Sequence, residues 1–107
     1  MKRVIVAPAV EDHLVELIEI LYNKNYFGFK DEAIAYTYSL VSDIYDTLPN
    51  RASKVAPPYF SRYGKDLYYS VFKKNDNTQW YVFFNYENDI FYVRYIGNNH
   101  TCAQHIR

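Results

Sequence analysis

Apolar positions recur with helical spacing in the first half of the chain and with strand spacing in the second. The run Arg3 to Ala7 predicts a short first strand, ended by Pro8, whose fixed φ and missing N–H suit the first turn of a helix. Leu14, Leu17, Ile18 and Leu21 then fall at i, i+3, i+4 and i+7, with Glu11, Asp12, Glu16 and Glu19 on the other face. That spacing predicts a first amphipathic helix, whose early carboxylates complement its dipole. Asn23 to Gly28 reads as a connection, and a second helix is expected from Lys30 or Asp31. Its stripe is Ile34, Tyr38, Val41, Tyr45 and Leu48, and Pro49 stops it.

After Pro49 the only loop-like stretch runs to Pro58, and the period then changes. Tyr59 to Tyr63, Leu67 to Lys73, Gln79 to Tyr86 and Ile90 to Ile96 are aromatic, β-rich runs. The breaks Gly64-Lys65-Asp66, Asn75-Asp76-Asn77 and Glu87-Asn88-Asp89 carry residues that tolerate tight turns. Gaps this short predict antiparallel hairpins, because a parallel crossover needs about a dozen residues. The expected fold is therefore α+β, in the order β-α-α-β-β-β-β. A helical hairpin packs on a mainly antiparallel curved sheet as a single domain spanning residues 1–107.

Composition narrows this picture. Half of the 107 residues are hydrophobic and a fifth aromatic, with 13 tyrosines and 7 phenylalanines, so the chain is far from the composition of disorder. Cys102 is the lone cysteine, which excludes an intrachain disulfide, and the ligand spacing of a zinc site is absent. No cofactor is expected. The short apolar run at the start does not have the form of a secretory signal, and no stretch approaches the roughly 18 apolar residues of a membrane span. A cytoplasmic location and no membrane partner are the expectation.

Formal net charge is zero, but residues 1–48 hold eight carboxylates against four cations, and residues 49–107 hold eight cations against four carboxylates. The asymmetry predicts two faces with different partners, or two halves that neutralise each other.

Several segments resemble the RelE/ParE superfamily of bacterial toxin-antitoxin systems, the plasmid stabilisation proteins. Val4 to Leu14 is similar to the family's opening strand, proline and acidic helix start. Asp31-Glu32-Ala33 through Leu48-Pro49 resembles its second helix, and Tyr63-Gly64-Lys65-Asp66 through Phe72 its glycine turn and central aromatic strand. Phe91-Tyr92-Val93-Arg94-Tyr95-Ile96 resembles its last strand, with an arginine between apolar residues. The resemblance implies a toxin held inactive by a cognate antitoxin. Its target would be messenger RNA on the ribosome, cut without metal by RelE-type members, or DNA gyrase, inhibited by ParE-type members; some members have no demonstrated activity.

Metal-free RNA cleavage needs activation of the ribose 2′-OH, a cation for the charge growing on the phosphate, and an acid for the leaving oxygen. Arg94, at the position of the family's last-strand arginine, is the candidate for the phosphate, because a guanidinium donates a fixed fork at any working pH. The alternative is a structural pair with Asp89 or Glu87. His100, in Gly97-Asn98-Asn99-His100, is the candidate proton carrier; an exposed tail residue is the other reading. Arg62, Lys65 and Lys54 are candidates for the RNA backbone, or solvated edge charges. Two departures from the family stand out. Tyr69 replaces a central-strand arginine, to act as base, to stack a nucleotide or simply to fill core, and Gly97, Asn98 and Asn99 replace a histidine, arginine and tyrosine cluster. His105 and Cys102 add little to a metal case, His13 reads as surface, and the sequence leaves monomer and homodimer both open.

Overall fold

In a computed structural model, which describes residues 2–23, 30–75 and 78–106, the chain is a mixed α+β domain built on one five-stranded sheet. Strand β1 (Arg3–Val6) leads into α1 (Pro8–Asn23) and α2 (Lys30–Thr47). A two-residue strand β2 (Lys54–Val55) follows, then β3 (Tyr68–Asn75), β4 (Thr78–Glu87), β5 (Ile90–Asn98) and a single helical turn, α3 (Asn99–Cys102). The sheet order is β1-β5-β4-β3-β2, antiparallel except for β1, which lies parallel to β5 with Val4 opposite Phe91 and Val6 opposite Val93. The expected α-helix connection from Asn23 to Gly28 falls almost wholly outside the described residues, as do Asp76 and Asn77.

The β4–β5 turn shows why this sequence makes hairpins. Asn88 and Asp89 both adopt left-handed backbone, with φ of 52° and 65°, as a two-residue turn matching strand twist requires. Asp66 does the same before β3, with φ of 56°.

One face of the sheet is covered by the two helices. Phe72, Trp80, Val82, Phe84, Phe91 and Val93 point into this layer against Leu14 of α1 and Ala33, Leu40 and Ile44 of α2. The Trp80 indole N–H donates to the Tyr36 hydroxyl at 2.8 Å, so its polar atom is satisfied within the core. Lys74 reaches from β3 to Asp43 of α2 at 2.9 Å.

Two expectations fail here. The buried stripe of α2 is Ala33, Thr37, Leu40, Ile44 and Leu48, not Ile34, Tyr38, Val41, Tyr45 and Leu48. The helix is turned by about one residue, or about 100°, so Tyr38 and Tyr45 are 70% and 44% exposed. Aliphatic side chains and a small alanine can lie against the sheet with no hydroxyl to satisfy, and Thr37 returns its own to the Ala33 carbonyl at 2.9 Å. In α1, Leu14 is buried as expected; the side chains of Leu17, Ile18 and Leu21 lie outside the described part.

The second failure is Tyr59 to Tyr63, which is not a strand but part of a 3-10 helix, Pro58–Tyr63. Pro57 and Pro58 remove two N–H donors and fix φ near the helical value, which disfavours a ladder and starts a turn. The fifth strand is the Lys54–Val55 pair, inside the stretch read as loop.

The aromatic residues of that 3-10 helix cover the other face of the sheet. Phe60 stacks on Phe83 with ring centres 4.3 Å apart, and Tyr63 lies flat on Tyr95 at 3.8 Å. The C-terminal turns complete the layer, with Cys102 buried in it and His105 stacked on Tyr59 at 3.5 Å. Gly97 permits this closure, since a Cβ there would overlap the Cys102 sulfur. We expect Gly97→Ala to cost about 1–3 kcal/mol by overpacking, and the double substitution Gly97→Ala/Cys102→Ala to recover part of it; urea denaturation of the three proteins measures both.

Candidate functional site

Arg94 sits where the β4–β5 ladder slips. Phe83 pairs with Tyr95 and Phe84 with Val93, so Arg94 is the extra residue of a β-bulge. A bulge re-aims the side chain it carries, and this one is exposed. The Arg94 Nε donates to the Asn85 side-chain oxygen at 3.0 Å, and the guanidinium lies 4.4 Å from the centre of the Tyr92 ring. Neither Asp89 nor Glu87 pairs with it: Asp89 instead accepts from the Tyr86 hydroxyl at 3.0 Å. Among the described residues its terminal nitrogens bond to nothing.

Asn85 holds two parts of the site together. Its amide nitrogen donates to the Lys65 carbonyl at 2.6 Å, fixing the turn before β3, while its oxygen fixes Arg94. Gly64 lies in that turn, where a Cβ would make an ordinary contact of 3.5 Å with the Arg94 Cγ and a tighter one of 3.2 Å with a Leu67 methyl. The result is a groove of about 580 Å³ at the β4–β5 turn end of the sheet. Arg94 and Lys65 supply its cations, Asp66 and Glu87 its carboxylates, and Tyr68, Tyr86 and Tyr92 its aromatic walls.

The other candidates are dispersed. Tyr69 is only 8% exposed, packed with Tyr81 and Phe83 in the second aromatic layer. It lines a separate hollow of about 270 Å³ with Arg51 and Lys54. Through the register Tyr69, Phe83, Tyr95 it is two strands from the bulge, about 10 Å across the sheet. His100 belongs to α3, beyond the C-terminal end of β5, whose last residue Asn98 is on the order of 13 Å along the strand from Arg94; the His100 side chain lies outside the described part. Arg62 is exposed, donates to the Tyr59 carbonyl at 3.2 Å and lies over the Tyr59 ring at 4.0 Å. Arg94 and Lys65 are therefore brought together, Tyr69 and Lys54 form a second group, and Arg62 and His100 join neither.

The tyrosines whose titration is displaced are shifted away from base chemistry near neutral pH. Burial, then a hydrogen bond with Tyr63, pushes the Tyr95 phenol well above its ordinary value, and burial raises Tyr81 as well. His13, expected on the surface, is half-buried beside the Tyr95 ring at 6.0 Å. Among the described residues no group of three or more His, Cys, Asp or Glu side chains could hold a metal ion, and no helix is long and apolar enough to cross a membrane.

Sequence reading did not find Asn85, Tyr92, Tyr68 or Tyr86 as site residues. The available signal was Asn85 itself, a polar residue interrupting the aromatic run from Trp80 to Tyr86. No protein-family model matches the chain, and no curated protein or solved structure matches it either.

Two outcomes are expected. In Asn85→Leu the Arg94 Nε–H loses its acceptor, so its NMR signal, slow to exchange in the parent, broadens or disappears; an unchanged signal would mean that Asn85 does not hold the guanidinium. A phenol whose native pKa is raised keeps its proton in the folded state while the unfolded chain releases one above the ordinary value near 10. Stability from this source is complete below that pH and is lost as pH climbs from it through the raised native value. Urea midpoints should fall above about pH 10, and fall less in Tyr95→Phe.

Proposed function

We propose that this chain is the toxin component of a bacterial toxin-antitoxin pair of RelE/ParE type, neutralised by a cognate antitoxin, and that it cuts messenger RNA on the ribosome. The observation that carries this reading is Arg94, exposed on a β-bulge and paired with no carboxylate among the described residues, with Asn85 and Tyr92 fixing its orientation. A guanidinium held in this way is organised to stabilise the charge that develops on a phosphate as the 2′-oxygen attacks. Lys65 adds a second cation on the same groove, and the tyrosine walls offer flat faces for unpaired bases. The order β-α-α followed by antiparallel strands, with the arginine on the last of them, is the part of the fold that supports this reading. Arg62 and Lys54 are proposed as outlying backbone contacts, and His100, on the turn beyond the far end of β5, is not brought to Arg94 as its proton carrier.

A second reading has its own support. Tyr69 is buried and lines a different hollow, α3 is remote from Arg94, and the carboxylates Asp66 and Glu87 line the Arg94 groove. These features fit a toxin that works by binding a protein such as DNA gyrase, or a partner-binding domain without catalysis.

The test is incubation of the purified chain with translating ribosomes and mapping of 5′ ends on the message. Cleavage is expected, falling at least about 10²-fold in Arg94→Ala, the usual scale for losing a charge-stabilising donor. Absence of cuts, together with inhibition of gyrase supercoiling, would replace the first reading by the second.

A further inference from the structure

The stripe expected to be buried in α2 is instead an outward face. Tyr38 and Tyr45 lie two helical turns apart, 70% and 44% exposed, with half-buried Val41 between them. Asp31 is on the same side as Tyr38, at i and i+7, and Asp46 lies beside Tyr45, accepting from Ser42 at 3.4 Å. The helix carries four carboxylates and one cation, Lys30 at its first residue. Of these, Asp43 is engaged by Lys74, while Asp31, Glu32 and Asp46 are exposed.

We propose that this face of α2 is a docking surface for a cationic amphipathic helix supplied by another polypeptide. Its recognition elements are an aromatic strip about two turns long and a carboxylate at each end, roughly 22 Å apart along the helix axis. Ridges at i, i+3 and i+7 accept a second helix packed alongside, and tyrosine faces accept the stems and charges of lysine or arginine. Charge decides against other occupants. A second copy meeting this face through a two-fold axis would bring Asp31 toward the other copy's Asp46, like against like. Nucleic acid and anionic lipid headgroups would meet the same repulsion. The proposal does not rest on the RNA-cutting reading, since the surface lies on the helical layer and the Arg94 groove at the turn end of the sheet.

The experiment uses the full chain and two synthetic peptides of about 18 residues, long enough to cover the face. Both have leucine at i, i+3, i+4 and i+7; one carries lysine on its polar side and the other glutamate. Calorimetry should show binding of the lysine peptide, weakening with salt, and none of the glutamate peptide. Amide NMR shifts should be confined to residues around 31–46. Tyr38→Ser/Tyr45→Ser should weaken binding at least tenfold, and because both side chains are exposed, its thermal midpoint should stay near the parent's. Asp31→Lys/Asp46→Lys should reverse the preference toward the glutamate peptide. Equal binding of both peptides, no binding of either, or indifference to both double substitutions overturns the proposal. So does a dimer in sedimentation that the tyrosine substitutions dissolve, which would make a second copy the occupant.

Discussion

The burial of β4 on both of its faces is the constraint from which the rest of the molecule follows. Trp80, Tyr81, Val82, Phe83 and Phe84 are buried in succession, which a strand can be only if each side of the sheet has its own cover. The helical hairpin covers Trp80, Val82 and Phe84; the Pro58–Tyr63 turn and the C-terminal turns cover Tyr81 and Phe83. Burial of a large aromatic is worth about 2–3 kcal/mol, so neither cover can leave without exposing a continuous apolar surface. The middle of the sheet is thereby closed to ligands, and open chemistry is pushed to the end of the sheet and to the outer side of the helices.

That displacement accounts for where the candidate groups lie. Beyond Phe84 the strand stops being buried, Asn85 is half-exposed, and the slipped register opposite it turns Arg94 outward. Asn85 accepts from Arg94 and donates to the Lys65 carbonyl, so one amide ties Arg94 to the turn before β3. Each such hydrogen bond is worth about 1 kcal/mol, little for stability and enough to fix a geometry. Tyr69, on the interior side of the same boundary, packs as core.

The sequence carried the architecture better than the faces. The turn residues Asn88, Asp89 and Asp66 were legible because left-handed backbone has few acceptable occupants, and the three long strands because alternation and short gaps leave little choice. The α2 stripe was misread because two parallel apolar lines run along that helix. Counting apolar residues favours the line with two tyrosines, whereas packing favours the one holding Ala33 and Leu40, which brings helix and sheet close. Tyr59 to Tyr63 was misread because aromatic content signals a strand and a flat covering turn equally; Pro57-Pro58 was the sign that decided between them. The bulge at Arg94 has no local signature at all, since it exists only as a mismatch between two strands.

The uneven charge of the sequence becomes spatial through the same layering. The exposed carboxylates of residues 11–46 lie on the helices, whereas Lys54, Arg62, Lys65 and Arg94 are exposed on the sheet and the segments that border it. Lys74 and Asp43 join the two layers directly, and because Lys74 is largely buried that pair fastens the layers at one point without neutralising their outer faces. Over a Debye length of about 8–10 Å the outer faces are felt separately. Exposed Asp31, Glu32 and Asp46 turn a cationic segment toward α2, whereas in the groove Arg94 and Lys65 are matched by Asp66 and Glu87. The proposed chemistry at Arg94 and the proposed docking face of α2 therefore lie on different surfaces.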